Sequence, residues 1–208
     1  MRLPILHDAE GVVVVDKPPG LEATGRTRDD PGGVEHHLAT QLRRRVWAVH
    51  QLDRDTSGAL IFVRKKALVA PWQARLAGAT KRYLAIAHGR VEAAIVDAPL
   101  AYDLALRRWV IREGGKPAVT EWSTLDAHDD ASLVEARPRT GRTHQVRVHL
   151  ASRGHPLFGE SRHRDPPCDA HPRHALHLWR IEVGGQAFAS ALPQDLRRLA
   201  VRLGLRAP

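Results

Sequence analysis

The chain has 208 residues, enough for one large domain or two small ones with a buried core. Its 32 lysine and arginine residues against 23 acidic residues give a net charge of +9. This excess favours a polyanionic partner, although a coding bias toward arginine would raise the charge in the same way. Cys168 is the single cysteine, and no run of about 18 apolar residues could cross a membrane. These features exclude an internal disulfide and predict a cytoplasmic protein without membrane contact.

Elements in the first half of the chain follow clear apolar patterns. The β-branched run GVVVVD predicts a buried strand over 11–16 that enters the turn KPPG. Apolar residues at every fourth position predict a helix over 34–46 with arginines on its other face. A strand over 59–63, a short helix over 68–77 and an alternating strand over 83–88 follow.

Turn-forming residues break the second half into short elements. Segment 143–152 is ambiguous by period, but Thr143 as N-cap and Gly154 beyond the end favour a helix. The remaining predictions are strands at 110–111, 120–125, 133–136, 176–183 and 187–191 and a last helix over 193–204. Because strands dominate and do not alternate regularly with helices, the sequence predicts an α+β fold with a mostly antiparallel sheet.

Two aspartates, Asp53 and Asp55, lie in the stretch HQLDRDTSGALIFVRKK directly before a predicted strand. They fit a magnesium-dependent phosphotransfer centre, a lone catalytic carboxylate or a solvated surface turn. Phosphotransfer requires Asp53 at the end of a buried parallel strand and a second acidic pair, which Asp129-Asp130 could supply. Polar His50 and Gln51 stand where that strand would end, which argues against phosphotransfer.

Zinc donors cluster near the end of the chain. The spacing of these donors matches known structural zinc patterns poorly, so no metal is predicted. The proline-broken stretch 162–173 is better explained as a basic loop that contacts RNA. The candidate donors are His163, Cys168, His171, His174 and His177.

The segment PRTGRTHQVRVHLASRGHPLFGE is rich in donors suited to phosphates and base edges. Arg142, His144 and Gln145 are therefore candidate RNA-binding residues. If 143–152 is helical, Arg147 could point inward, and a buried arginine needs a buried carboxylate as partner. Asp53 is the candidate partner.

Several segments, in the same order along the chain, together resemble the RluA family of RNA pseudouridine synthases. The resemblance spans residues 11–193 and implies isomerisation of uridine in RNA without a metal or organic cofactor. It also implies a bent, mostly antiparallel mixed sheet flanked by helices, with a central RNA-binding cleft. The segments are VVVVDKPPGL, HQLDRDTSGALIFVRK, KRYLAIAHG, GKPAVTEW, TGRTHQVRVHLASRGHPLFGE and ALHLWRIEV.

The resemblance also assigns roles to individual residues. Asp53 matches the family's catalytic carboxylate, whereas Asp55 falls on a position that varies. Tyr83 matches the tyrosine that stacks on the target base, and Arg147 matches the arginine that pairs with the catalytic aspartate. The motif around Asp53 adds three candidate RNA contacts, which are His50, Gln51 and Arg54.

Two positions depart from the family pattern. Gln51 stands where the family usually has an arginine that fills the space left by the flipped base, and EATGR stands where it often has Val-His-Pro. Gln51 keeps a second hypothesis open, a non-catalytic RNA-binding protein on the same scaffold. The expected architecture is a single catalytic domain over 1–208, without an accessory S4 domain, acting as a monomer on an rRNA or tRNA stem-loop.

Overall fold

The computed structural model describes residues 1–27, 29–167 and 170–208. The chain forms two compact units, of which the first contains Met1–Lys81 and Leu178–Ala191 and the second contains Arg82–His177 and Leu192–Pro208. A single catalytic domain over the whole chain remains a prediction. No helix within the described ranges is long and apolar enough to span a membrane.

The described residues form short strands and helices along the chain. The strands are β1 (Ile5–Ala9), β2 (Val12–Lys17), β3 (Trp47–Ala48), β4 (Ser57–Val63), β5 (Thr80–His88), β6 (Ala94–Asp97), β7 (Leu100–Asp103), β8 (Arg108–Ile111), β9 (Val119–His128), β10 (Ala131–Pro138), β11 (Leu176–Val183) and β12 (Gln186–Ala189). The helices are α1 (Val34–Leu42), α2 (Val69–Ala77), α3 (Gln145–Ser152) and α4 (Gln194–Arg202), and a 3₁₀ turn at Lys66–Leu68 precedes α2.

The first unit is built on the two most apolar strands. Strand β2 pairs antiparallel with β1 and β4, β3 pairs with β4, and β12 pairs with β11. The register sets Val12 opposite Val63 and Lys17 opposite Gly58. Every residue of β4 is buried, as a continuous apolar run predicts for a strand covered on both faces. Strand β4 therefore gives the preceding turn a rigid base.

The second unit contains an antiparallel sheet in the order β5, β10, β9, β6 and a separate hairpin of β7 and β8. Helix α3 packs Val146 and Leu150 against an apolar cluster that includes Ala85 and Trp122. Helix α4 buries Leu196 and Leu199, as its sequence pattern predicts. The α+β class with antiparallel pairing is confirmed.

Two predicted helix boundaries were wrong. Helix α1 ends at Leu42, before the predicted Val46, because Arg43 adopts a left-handed conformation with φ of 51°. Helix α3 begins at Gln145, and its N-cap is His144, with φ of 56°, rather than Thr143. The start of α3 depends on side-chain contacts of Gln145 that local helix signals do not encode.

Candidate active site

Asp53 begins a hydrogen-bonded turn that leads into β4. The backbone carbonyl of Asp53 accepts a hydrogen bond from the amide of Thr56 at 3.0 Å. Both Asp53 and Asp55 are half-buried, and Thr56 is buried. The chain therefore holds the two carboxylates in a defined turn at the start of a buried strand.

The turn is attached to the segment that follows β2. Lys17, whose side chain is fully buried, donates from Nζ to the carbonyl of Arg54 at 2.8 Å and to that of Pro18 at 3.0 Å. The amide of Gly20 also donates to the Arg54 carbonyl at 2.9 Å, and Arg54 Nε donates back to the Gly20 carbonyl at 3.1 Å. These bonds fix the backbone next to Asp53. The predicted RNA contact by Arg54 stays a prediction, and its side chain is exposed.

Gly58 explains why the motif requires glycine after Thr56 and Ser57. Its φ is +124°, and a Cβ placed there would lie 2.2 Å from the backbone oxygen of Leu178 in β11. A side chain would force these two backbones apart. The glycine therefore allows the close approach that seats the Asp53 turn.

His50 and Gln51 are neighbours in the chain, but their side chains bond different parts of the first unit. His50 Nε2 accepts a hydrogen bond from the amide of Ile61 at 3.2 Å. Burial, together with the positive charge of Lys81, lowers the pKa of His50 to about 3, so the imidazole is neutral at physiological pH. Gln51 is exposed, and its amide donates to Thr24 Oγ1 at 3.4 Å. RNA contact by either residue stays a prediction.

Tyr83 lies on β5 in the second unit, opposite Ala136 of β10. It is half-buried and packs against the apolar cluster that includes Ala85, Ala87 and Val146. The cluster therefore contacts the Tyr83 side chain, and the stacking role stays a prediction.

Gln145 is a structural residue in this fold. It is 4% exposed, and its Oε1 accepts hydrogen bonds from Thr140 Oγ1 at 2.8 Å and from the amide of Arg142 at 3.0 Å. Its Nε2 donates to the carbonyl of Val119 and to Thr120 Oγ1 at 2.9 and 3.0 Å. Both ends of the amide are therefore engaged inside the protein, and RNA contact by Gln145 stays a prediction.

Arg147 points inward, as predicted, and is 3% exposed. Its Nε donates to Glu160 Oε2 at 2.8 Å and its Nη2 donates to Glu160 Oε1 at 2.9 Å. Burial raises the pKa of Glu160, but the hydrogen bonds and charge of Arg147 outweigh it and lower this pKa to about 2. The buried carboxylate that Arg147 requires is thus supplied by Glu160. Pairing of Arg147 with Asp53 stays a prediction.

Glu160 also orders the segment that follows it. Its Oε1 accepts hydrogen bonds from the amides of Arg162 and His163 at 2.9 and 3.2 Å. His163 Nε2 lies 2.9 Å from His144 Nδ1, at hydrogen-bond distance. Burial lowers the pKa of His163 to about 4, so this histidine is neutral at physiological pH. His144 is therefore half-buried within a network, and its predicted RNA contact stays untested.

Arg142 is exposed before α3, and its Nε donates to the carbonyl of Pro117 at 2.9 Å. This hydrogen bond holds the Arg142 side chain against the backbone at Pro117. RNA contact by Arg142 remains a prediction.

The zinc donors considered from the sequence are not grouped as metal ligands in the part of the chain that the structure describes. Within the ranges that the structure describes, no group of three or more His, Cys, Asp or Glu side chains is arranged to hold a metal ion. His171 Nδ1 instead lies 2.8 Å from the carbonyl of Arg173. Cys168 lies outside the described residues.

The predicted site residues thus form two groups. His50, Gln51, Asp53 and Arg54 lie together in the first unit, and Tyr83, Arg142, His144, Gln145 and Arg147 lie in the second. Sequence reasoning missed Lys17 and Glu160. Glu160 is the one acid in the stretch from Pro138 to Glu160, and this signal could have identified it as the partner of Arg147.

Comparisons with known proteins identify the family of this chain. The family model for RNA pseudouridylate synthase matches residues 11–152. The dual-specificity RNA pseudouridine synthase RluA of Escherichia coli is 33% identical over 204 residues, covering 91% of this chain and 90% of the relative. The ribosomal large subunit pseudouridine synthase D of Nitrosomonas europaea is 34% identical and covers 95% of this chain. This chain spans 64% of the length of the latter relative.

Solved structures show the same fold. Human RNA Pseudouridylate Synthase Domain Containing 4 superimposes with a TM-score of 0.83 at 24% identity, covering 99% of this chain and 94% of that one. Human RNA Pseudouridylate Synthase Domain Containing 1 gives a TM-score of 0.73 at 24% identity, covering 98% and 95%. With the family match and the bacterial relatives, this chain belongs to the RluA family of RNA pseudouridine synthases.

Proposed function

We propose that this chain isomerises uridine to pseudouridine in structured RNA and that Asp53 is the catalytic carboxylate. The observation that carries the proposal is the position of Asp53 in a hydrogen-bonded turn whose backbone is held by the buried Lys17. An enzyme that acts on a single base needs its reacting group held in a fixed geometry. A surface turn that only carried solvated charge would not require a buried lysine beneath it.

The reaction is balanced without a co-reactant. The bond between C1′ and N1 of the uridine breaks, the uracil rotates, and a bond forms between C1′ and C5. The proton on C5 is lost and N1 gains a proton. A carboxylate can serve this reaction as a nucleophile or as a base.

The target nucleotide must leave the base stack, because C1′ of its ribose and C5 of its uracil cannot both be reached inside a helix. Base flipping costs a few kcal/mol, which contacts to the RNA backbone must offset. We propose that Tyr83 stacks on the flipped base and that Arg147 pairs with Asp53. A guanidinium has five N–H donors, so the ion pair with Glu160 does not prevent a second carboxylate contact.

The substrate is proposed to be a stem-loop of rRNA or tRNA, bound by a monomer in the cytoplasm. The names of two relatives, a ribosomal large subunit pseudouridine synthase and a dual-specificity RNA pseudouridine synthase, support an RNA substrate. The net charge of +9 suits an RNA partner. The candidate contacts that are exposed are Gln51, Arg54 and Arg142.

Incubation of the protein with unmodified tRNA and rRNA fragments in chelator tests the proposal. Pseudouridine is then mapped by carbodiimide-dependent primer stops. We expect stops at one or a few uridines. Binding of these RNAs without any new stop would support a non-catalytic RNA-binding protein instead. Phosphate release in a parallel incubation with magnesium, absent in chelator, would support a phosphotransferase.

A further inference from the structure

The first unit contains a cavity of about 610 Å³ that the proposed chemistry does not use. Its lining includes Thr24 and Arg26 from the loop after β2, Glu35 of α1, Trp47 of β3 and Lys66 of the 3₁₀ turn. The volume lies within the roughly 300–1,000 Å³ that is usual for small-ligand sites. The cavity is therefore large enough for one nucleotide.

Hydrogen bonds to Asp30 hold the backbone beside one wall of the cavity. Asp30 accepts hydrogen bonds from the amides of Arg26 and Gly32 at 2.9 and 2.8 Å. A Cβ on Gly33 would lie 2.4 Å from the amide nitrogen of Gly25, so the two ends of the loop are packed backbone to backbone. The backbone at Arg26 is thus held by the Asp30 carboxylate.

The cavity is connected to the proposed catalytic turn through the two positions that depart from the family pattern. Thr24 belongs to EATGR, and its hydroxyl accepts the hydrogen bond of Gln51 at 3.4 Å. Gln51 precedes Asp53 by two residues. A ligand held against Thr24 is therefore adjacent to a side chain of the catalytic motif.

The lining has the chemistry of a nucleotide site. Arg26 and Lys66 are exposed cations, and with Glu35 they leave the ionisable lining residues at a net charge of +1. Trp47 provides an aromatic ring, and stacking on aromatic rings is a sequence-tolerant way to hold an unpaired base. Glu35 also lines a second cavity of about 350 Å³, whose lining includes Asp29, Arg44 and Arg45. The two arginines place further cations near the first cavity, together with the two acids.

We propose that this cavity binds a second, unpaired nucleotide of the substrate RNA, outside the catalytic position. The base stacks on Trp47, and Arg26 and Lys66 contact the adjacent phosphates. The proposal rests on the proposed function in that the RNA is the substrate of the enzyme. It makes the loop after β2 a determinant of which RNA is selected.

Binding of a fluorescein-labelled hexamer of oligo(C) RNA, followed by anisotropy, tests the site. This probe contains no uridine and therefore cannot occupy the catalytic position as a substrate. We expect Arg26→Ala with Lys66→Ala to raise Kd at least tenfold more than the control pair Arg2→Ala with Lys65→Ala. The control removes the same charge from exposed residues of the same unit that do not line the cavity. The slope of log Kd against log salt should fall by about 0.7 for each lost phosphate contact.

A second pair of variants tests the aromatic wall. Trp47→Ala should weaken oligo(C) binding by about tenfold, whereas Trp47→Phe should retain most of it because a ring remains for stacking. Thermal unfolding confirms that both variants are folded at the assay temperature. Equal weakening by the cavity pair and the control pair would overturn the site. A protein that binds oligo(C) through this cavity but makes no pseudouridine would instead overturn the proposed function and leave the site standing.

Discussion

Arg147 and Glu160 form a buried ion pair in which Arg147 Nε lies 2.8 Å from Glu160 Oε2, with side chains 4% and 0% exposed. The same carboxylate holds the amides of Arg162 and His163. Glu160 therefore joins helix α3 to the segment that follows it. On the proposal that Arg147 pairs with Asp53, Glu160 is a positioning residue because it holds the Arg147 guanidinium.

Removal of one partner of this pair should be costly. Glu160→Leu leaves the Arg147 charge buried without this partner, and such changes cost about 3–5 kcal/mol of unfolding free energy. Arg147→Met alone should cost a similar amount, whereas the double variant should cost clearly less than the sum of the two. Urea unfolding of the four proteins measures this coupling. Additive losses would contradict a direct ion pair.

Gln145 should matter for stability before it matters for RNA binding. Gln145→Ala removes the hydrogen bonds to the Val119 carbonyl and the Thr120 hydroxyl. Each lost bond should cost about 0.5–1.5 kcal/mol, because Arg139 and His149 still bond these two groups. We expect a lower Tm with little change in RNA Kd well below that Tm. Gln73→Ala, at an exposed position of α2, is the matched control and should leave Tm unchanged. A large loss of RNA affinity at unchanged Tm would instead support the predicted RNA contact.

Gly58 should tolerate no side chain. Gly58→Ala introduces a Cβ that would lie 2.2 Å from the Leu178 oxygen in addition to the strain of a positive φ. Gly114→Ala also places alanine at a positive φ, of +74°, but in open space. The conformational strain alone is worth about 1–3 kcal/mol, so calorimetry should show the Gly58 variant losing clearly more stability than the Gly114 variant. Equal losses would mean that the approach of β11 does not constrain this position.

Stability should fall as the pH is lowered from neutral. His163 has an ordinary pKa of 6.5 that falls to about 4 in the folded protein, so the unfolded chain binds the proton more tightly. The stability conferred by neutral His163 is therefore present above pH 6.5 and is lost between pH 6.5 and about 4, at up to about 1.4 kcal/mol per pH unit. His50 acts in the same direction, and Glu160 adds a loss below pH 4.5.

Denaturant unfolding between pH 7.5 and 4.5 measures this dependence. His163→Gln keeps a polar side chain beside His144 but removes the titration, so its stability should fall less steeply than that of the wild type across pH 6.5 to 4.5. Parallel curves for the two proteins would show that His163 is not held neutral.

The sequence predicted those elements whose pattern is local. Strands β2 and β4 carry apolar, β-branched runs, and β11 places polar residues between apolar ones. The predicted bounds of all three were close to those observed. Strands β6 and β7 were missed because they are short and mixed in polarity. Ala94 of β6 pairs with Trp122 of β9, a contact that depends on tertiary structure.

Prediction of the site succeeded where a motif was compact and failed where partners are distant. The stretch around Asp53 identified its own turn, but nothing in it indicates that Lys17 lies beneath Arg54. Arg147 is buried beside a carboxylate, as its place in a predicted helix indicated. Its observed partner Glu160 was missed because it lies thirteen residues away, beyond the end of α3.

The two aspartates of HQLDRDTSG provide the most direct test of the account. Loss of the proton from C5 releases tritium from RNA labelled with [5-³H]uridine, so tritium release measures the proposed reaction itself. Asp53→Asn should abolish release while RNA binding is retained, and Asp55→Asn, two residues away in the same turn, should retain measurable release. Release by Asp53→Asn at the rate of the wild type would contradict the assignment of Asp53 as the catalytic carboxylate.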